Sequence, residues 1–428
     1  MKLGFYIVLI GGLFLAPSVV WAKEYNLNLL WQTPIGGKNC EVLSEDGRLR
    51  RCDRGKGIQL LYRAVRGSNL SFWGWNLREG AADRILIDDL IKDGFEDYKT
   101  IELQENYNDL TWGIFNKHKK GPAILDITSD NQNKIWVVGY TDRVDSLTGR
   151  VTNRNYLASI DENGKTDFEK RYAKQEFSGL SQIVPFQKDT FLVAGGRNIG
   201  RVDRTGKYLW ESNVGMAKGL SFGTNGSRIL AVGMVGHGKE SGDYWENFES
   251  RLLDEDGNIM NTAIVWEKVN DYRGGYYADV DVLADESGFF SVTRWGNKFI
   301  RDKSLIKPIK VTRFSNDGAI LWQTDLKTTL GKDSLDRVDI CSYPTMIKDG
   351  NNLLVACTLS GNIRFYTFAN GQKNYVEYVI PLPQCHEPRV AKLSLFSRPD
   401  NHALYLVGTR SSGNSGASCS WLGHLKPR

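Results

Sequence analysis

One phrase recurs along the chain: an apolar alternating run, then Asp or Asn, then Gly, then a second run that often carries Trp. It reads "YLASIDENGKTDFEKRY" at 156–172, "IGRVDRTGKYLWESNV" at 199–214, "SRLLDEDGNIMNTAIVW" at 250–266 and "KVTRFSNDGAILWQTDL" at 310–326. Looser copies stand at 85–101 and 363–379. The Asp or Asn side chain can bond back to the turn, and Gly accepts the positive φ the turn requires. Each copy is therefore expected to be a hairpin of two strands.

A second phrase precedes the hairpins: a short apolar run ending in a small residue. The clear copies are "IWVVGYT" (135–141), "FLVAGGR" (191–197), "ILAVGMV" (229–235), "FFSVTRW" (289–295), "LLVACTL" (353–359) and "LYLVGTR" (404–410), with "LSFWGWN" (70–76) a looser one. These runs are too short for helices and rich in β-branched and aromatic residues, so they read as buried strands. Their small residue is expected to let neighbouring backbones approach closely. Between successive units there is room for one leading strand, as at 179–189 and 219–228.

The unit is thus four strands. Seven units over residues 23–428 give roughly 58 residues each, the size of a propeller blade with loop insertions. The 44 Gly and 12 Trp against only 11 Pro suit many short strands joined by tight turns. The expected fold is all-β, a single β-propeller over 23–428 with seven four-stranded blades. Two stacked sandwiches would not require the order of the phrases to repeat.

The fragment "LLWQTP" (29–34) repeats the tail of the phrase, "ILWQTD" (320–325), without its head. The last unit, from 404 onward, carries the head without the tail. An N-terminal strand at about 25–36 is therefore expected to pair with a C-terminal strand at about 419–426 and close the ring, Leu29 to Thr33 lying against Trp421 to Leu425.

The stretch "RVDRTGKYLWE" (201–211) resembles the repeat of quinoprotein-like propellers. These are the pyrroloquinoline-quinone dehydrogenases and their non-enzymatic relatives, such as the outer-membrane assembly propeller. Asp203, Thr205, Gly206, Lys207 and Trp210 match the pattern D-x-x-T-G-K-x-x-W, in which the Trp packs between blades. Asp317, Gly318 and Trp322 keep part of it. For an enzymatic member the resemblance implies Ca²⁺ and the quinone over the central channel, a catalytic carboxylate and, in alcohol-oxidising members, a disulfide of adjacent cysteines. No two cysteines are adjacent here. The resemblance therefore points to a non-enzymatic member with neither the quinone nor Ca²⁺, and is specific for architecture rather than activity.

The opening "MKLGFYIVLIGGLFLAPSVVWA" has Lys2 as a positive n-region, an apolar h-region, and Val20 and Ala22 before a cleavage point. Residues 1–22 are expected to be a secretory signal peptide. No Cys follows Ala22, so a lipid anchor is not expected, and no later run is long and apolar enough to span a bilayer. The expected location is the periplasm or outside the cell. Six cysteines suit an oxidising compartment. Cys40 and Cys52 lie equidistant from Asp46, and Cys341 and Cys357 from Asp349, each within a turn signal. Equal spacing about a turn sets two residues opposite each other. Cys385 and Cys419 are left to pair by elimination only; free thiols or a metal site are the alternative, though the spacings of 12, 16 and 34 match no zinc pattern.

No Ser-His-Asp order, paired carboxylates, P-loop or dinucleotide fingerprint is present in convincing form. "DEDGN" (254–258) has the flavour of a calcium loop, but Val265 stands where an EF-hand needs Glu, and the repeat makes it a hairpin turn. A net charge of +5 without a long basic run does not favour nucleic acid. The most distinctive insertions are "GHGKESGDYWENFE" (236–249) and "TDRVDSLTGRVTNRNY" (141–156), which occupy the same place in their units and so emerge on one face. His237, Lys239, Tyr244, Trp245, Arg143, Arg150 and Arg154 are the candidate partner surface. A glycine-rich stretch at 410–421 is a third insertion there. The expected function is a monomeric exported binding or scaffold protein engaging a protein partner in the cell envelope or outside the cell. The alternatives are an inhibitor or immunity protein against a toxic enzyme, a quinone dehydrogenase and a polysaccharide-active enzyme.

Overall fold

The computed structural model describes residues 25–32, 40–42, 50–52, 57–66, 69–78, 81–88, 99–102, 123–132, 134–144, 151–160, 166–172, 180–238, 244–270, 276–297, 309–326, 331–332, 338–339, 341–359, 362–381, 392–397, 402–409 and 420–427. The segment 1–22 expected to be a signal peptide and the expected Cys385–Cys419 pair lie outside them.

The described residues are almost wholly strand, arranged in consecutive four-stranded antiparallel sheets. In chain order we label their strands a to d, with a leading. Sheet I is Gly57–Arg66, Asn69–Arg78, Ala81–Asp88 and Lys99–Glu102. Sheet II is Ala123–Ser129, Ile135–Val144, Val151–Ile160 and Thr166–Tyr172. Sheet III is Leu180–Phe186, Thr190–Gly195, Asn198–Asp203 and Tyr208–Asn213. Sheet IV is Met216–Asn225, Arg228–Gly238, Tyr244–Leu253 and Ile259–Asn270. Sheet V is Tyr276–Asp285, Gly288–Asn297, Ile309–Phe314 and Ile320–Leu326. Sheet VI is Ser342–Asp349, Asn352–Leu359, Asn362–Phe368 and Tyr375–Pro381. In sheet VII the chain supplies Lys392–Ser397, Leu404–Thr409 and Ser420–Pro427, and strand d is Tyr25–Gln32 from the other end. That strand runs antiparallel to Ser420–Pro427, with Leu27 opposite Leu425 and Leu29 opposite Gly423. The Tyr25 hydroxyl donates to Asp349, tying strand d of sheet VII to the a–b turn of sheet VI.

Each hydrophobic cluster lies between two consecutive sheets. Trp136, Val138 and Leu157 of sheet II pack on Ile183, Phe191 and Val193 of sheet III. Ile199 and Leu192 of sheet III meet Phe222 and Ala231 of sheet IV. Sheets IV and V share Phe248, Leu252, Phe289 and Phe314. Sheets V and VI share Phe290, Val311, Leu353 and Tyr366, and sheets VI and VII share Phe365, Leu395 and Trp421. Both faces of these sheets are therefore covered. This explains the continuous burial of central strands such as Thr190–Gly195 and Asn352–Leu359. Face-to-face sheets laid side by side in chain order are the architecture of a β-propeller.

Polar bonds between the a strands set the alignment. The Asp126 carboxylate accepts the Ile183 N–H at 2.9 Å and Asp281 accepts that of Met346 at 3.1 Å. Thr345 Oγ1 accepts the Leu395 N–H at 3.3 Å, and Gln182 Nε2 donates to the Phe222 carbonyl at 3.5 Å. The turns bond to one another as well: Arg204 of the sheet III c–d turn donates to Asn131 of the sheet II a–b turn at 2.9 Å, Gln187 of the sheet III a–b turn to Glu255 of the sheet IV c–d turn at 2.7 Å, and Asn225 of the sheet IV a–b turn to Asn316 of the sheet V c–d turn at 2.6 Å. In these sheets the a–b and c–d turns therefore share one side, and the b–c ends of the strands lie on the other.

The repeated phrase acts as a second connector. Asp203 Oδ1 accepts the N–H groups of Thr205 at 2.8 Å and Lys207 at 3.0 Å. Asp254 Oδ1 does the same for Asp256 and Asn258, at 3.0 and 2.8 Å. The oxygens of Asp254 with a calcium flavour are thus occupied by their own turn. In sheet V the equivalent position is Ser315 rather than Asp317, because Ser315 N bonds the Ala319 carbonyl as Asp203 N bonds that of Lys207. Strand d then reaches the next turn. Trp210 Nε1 donates to the Glu255 carbonyl at 2.7 Å, and Trp322 Nε1 to that of Gly371 at 2.8 Å. Asn261 fills this role in sheet IV, donating to the Asp317 carbonyl at 2.9 Å, so the Trp of the phrase is replaced there by a shorter donor. The turn glycine is needed twice over. Gly257 has φ +82°, and a Cβ there would lie 2.6 Å from the Trp210 ring.

The small residue of the buried strand makes room for side chain and backbone alike: a Cβ on Gly408 would lie 2.2 Å from the Trp421 ring, and one on Gly233 would lie 3.0 Å from Met216 Cβ and 3.2 Å from Leu220 Cα. One expectation is corrected. The turn between Cys341 and Cys357 centres on Gly350 and Asn351, since Asp349 pairs with Asn352. A register shift between Ser342 and Thr345 compensates, and the two cysteines form a disulfide with Cα atoms 5.6 Å apart. Cys40 and Cys52 are backbone partners in a two-stranded sheet; their side chains lie outside the description.

Sheets V and VI are also joined by charge. Asp285 receives Arg313 and Lys348, each at 2.9 Å. Burial acts to raise its pKa, but the bonds from Lys348 and Arg313 outweigh it and hold the carboxyl at about 2. A depressed pKa stabilises the fold fully above the ordinary 3.8, and that contribution is lost as the pH falls through about 2. Asp285→Asn is expected to cost roughly 2 kcal/mol in urea unfolding at pH 7, and the gap to wild type is expected to close as the pH approaches 2.

Candidate partner-binding face

The sequence suggests loops at 141–156 and 236–249, and both are mostly ribbon. In sheet II pairing continues from Tyr140 opposite Asn155 out to Val144 opposite Val151. In sheet IV it continues to His237 opposite Trp245 and Gly238 opposite Tyr244. The alternation that marks a strand fades where a ribbon leaves the core and both faces become polar, so these stretches resemble insertions. Arg143 pairs with Thr152 and Arg154 with Thr141 in backbone register. Lys239 and Arg150 lie outside the described residues, as do the side chains of Arg143, Arg154 and Tyr244.

The structure brings His237 and Trp245 together. Their rings lie 5.9 Å apart between centroids and 16° from parallel, forming one aromatic surface. His237 Nε2 lies 2.6 Å from Glu249 Oε1, and the other oxygen of Glu249 lies 3.5 Å from Arg251. Glu249 is 5% exposed, so the two bases offset the cost of holding a carboxylate out of water. Glu249 and Arg251 are the residues that sequence reasoning missed. They sit in a run, "ENFESR", whose alternation with Phe248 and Leu252 signals a strand face but no charge partner.

The Arg251 guanidinium packs on the crossing from sheet III, where a Cβ on Gly215 would lie 3.2 Å from it. In sheet III the b–c hairpin is a tight turn. Gly196 has φ +58°, and the Arg197 carbonyl accepts the N–H groups of Val214 at 2.8 Å and Gly215 at 3.1 Å. The arrangement offers aromatic, cationic and amide surface. No group of three or more His, Cys, Asp or Glu that could hold a metal occurs among the described residues. No described helix is long and apolar enough to cross a membrane.

The class defined by sheet order and packing is the β-propeller. No protein family model and no curated protein matches the sequence. Among solved structures the chain is similar to the β-propeller domain of the Trilobed protease from Pyrococcus furiosus, at 12% identity over 86% of this chain and 97% of that one, with a TM-score of 0.43. It is similar to Pyrococcus horikoshii acylaminoacyl peptidase, at 14% identity over 87% of this chain and 51% of that one, with a TM-score of 0.42. The Neurospora crassa Pan2 WD40 domain matches at 11% identity over 71% of this chain and 89% of that one, with a TM-score of 0.40. Likeness at this level carries no inference about activity.

Proposed function

We propose that the protein is an exported, monomeric seven-bladed propeller that binds a macromolecular partner, most simply a protein of the cell envelope or exterior, through its b–c hairpin face. Sheets I to VII are its blades on this reading, and Tyr25–Gln32 closes the ring as the outer strand of the last one. The blades are of the quinoprotein-like kind, a reading supported by the turn at Asp203 and the inter-blade bond of Trp210. The observation that carries the binding role is the continued pairing of the sheet II and sheet IV hairpins beyond their cores. A ribbon held out rigidly costs little further ordering on binding.

The test is photocrosslinking in the native envelope. A crosslinkable residue at exposed Gly236 is expected to trap a defined partner, while one at Leu321, an exposed side chain of sheet V strand d, is expected to trap none. Only free protein from Gly236 would remove the reading.

A further inference from the structure

Strand d is built alike in sheets II to V. Just after the c–d turn it carries one extra residue against strand c: Asp167, Leu209, Met260 and Leu321 in turn. Leu209, Met260 and Leu321 are all exposed, so an apolar bulge sets no one sheet apart. The second and fourth residues after the bulge are exposed in all four sheets. They are Glu169 and Arg171 in sheet II, Glu211 and Asn213 in sheet III, and Gln323 and Asp325 in sheet V. In sheet IV they are Thr262 and Ile264, and no charged residue stands anywhere in 258–266. Charged and polar side chains guard an exposed outer strand against contact, and sheet IV lacks that guard.

The unguarded residues lie on the face turned to sheet III. Ile259 is opposite Leu253, which packs with sheet III, and Thr262 is opposite Arg251, whose guanidinium packs on Gly215. Ile264 is opposite Glu249. Ile259 and Ile264 are 42% and 47% exposed, and the strand c residues opposite them are about 13 Å apart. Through Glu249 this stripe continues the surface made by His237 and Trp245. The charges on the face meet one another, since Glu249 lies against both His237 and Arg251. Sheet III adds both signs, with Arg197 and Glu211 each exposed, so no net field selects a charged partner. From sheet III also comes the Ser212 hydroxyl, opposite Ile199 of the cluster shared with sheet IV.

We infer that this face of sheet IV takes an uncharged, aliphatic segment of the partner protein, with Ile264 and Trp245 as its anchors. Apolar area is what the face leaves unmet, and only an apolar occupant removes it from water favourably. A charged side chain of either sign would lose its hydration beside ion pairs that are already complete. The hydroxyls of Thr262 and Ser212 can bond a peptide backbone, which an acyl chain does not offer. This inference rests on the reading of the b–c face as the binding face. It extends the contact from the sheet IV ribbon onto the outer strand and adds the chemistry of the occupant.

The probe is a fluorescein-labelled peptide of alternating Val and Gln, about twelve residues long. Versions with Glu or Lys in place of Gln, and decyl maltoside below its micelle concentration, are the comparisons. Anisotropy at low salt is expected to show binding of the Gln peptide, with both charged versions weaker by about tenfold or more. Ile264→Asn, which installs the residue sheet III has at this place, is expected to weaken binding about tenfold, and Trp245→Ala similarly. Ile264→Leu is expected to leave it intact. Leu321→Asn, the same kind of change on an exposed residue of sheet V, is expected to have no effect on binding. The unfolding midpoints of Ile264→Asn and Leu321→Asn are expected to agree, so that lost binding is not lost fold. No binding of the Gln peptide, equal or tighter binding of a charged version, displacement by decyl maltoside, or equal losses from Ile264→Asn and Leu321→Asn would each overturn the inference. A partner trapped from Gly236 whose yield Ile264→Asn leaves unchanged would overturn it too, with the b–c reading still standing. Absence of any trapped partner would remove that reading, and this inference with it.

Discussion

Gly408→Val is expected to lower stability by about 3 kcal/mol or more, read as the urea midpoint followed by tryptophan fluorescence. Gly408 lies directly opposite Trp421 in sheet VII, and the indole occupies the space a Cβ would need. Trp421 is 1% exposed and packs with Phe365, Leu395 and Leu406 between sheets VI and VII. A valine must therefore evict the indole or part the strands that hold Tyr25–Gln32 against Ser420–Pro427. The mechanism is checked by coupling: in a Trp421→Leu background the cost of Gly408→Ala is expected to shrink to a fraction of its value. An undiminished cost would locate the strain in the backbone instead.

Removing the Cys341–Cys357 bridge by a double alanine substitution is expected to cost about 3 kcal/mol, the loop-closure entropy of a bond spanning 16 residues. Both cysteines are fully buried in the cluster between sheets V and VI, so alanine also leaves a small void there. Because the sulfurs are out of reach of solvent, a thiol reductant is expected to act only under conditions that open the structure. The measurement is the urea midpoint of wild type and variant, with and without dithiothreitol. Coincident midpoints under all four conditions would remove the bridge from any stabilising role.

How much of this was legible depended on the range of the interaction concerned. The turns at Asp203 and Asp254 could be read directly, because a carboxylate bonding to N–H groups two and four residues ahead is chemistry within one pentapeptide. Alternation and repeat order gave the four-stranded unit for the same local reason. Asn261 stands four residues after the turn glycine, as Trp210 does, but that it keeps the bond to the next turn could not be read, since the accepting carbonyl of Asp317 belongs to another sheet. Equal spacing about Asp349 points to the Cys341–Cys357 pair although the turn centres one to two residues later, because the bulge at Ser342 to Thr345 restores the alignment.

The candidate site was half visible. His237 and Trp245 stood out as aromatic residues in a polar stretch, but their stacking needed a ribbon where the letters suggested a loop. Glu249 and Arg251 were hidden because the charge of one is balanced only across strands. Sequence alone determined the repeating hairpins, the order of the strands and the residues able to turn the chain, since each depends on neighbours a few positions apart. Only the tertiary structure decided that Asp126 meets Ile183, that Gly408 makes room for Trp421, and that sheet III lies low between two taller ribbons. Those are relations between separate sheets. They arise from the relative height of strands packed side by side, which no single segment encodes.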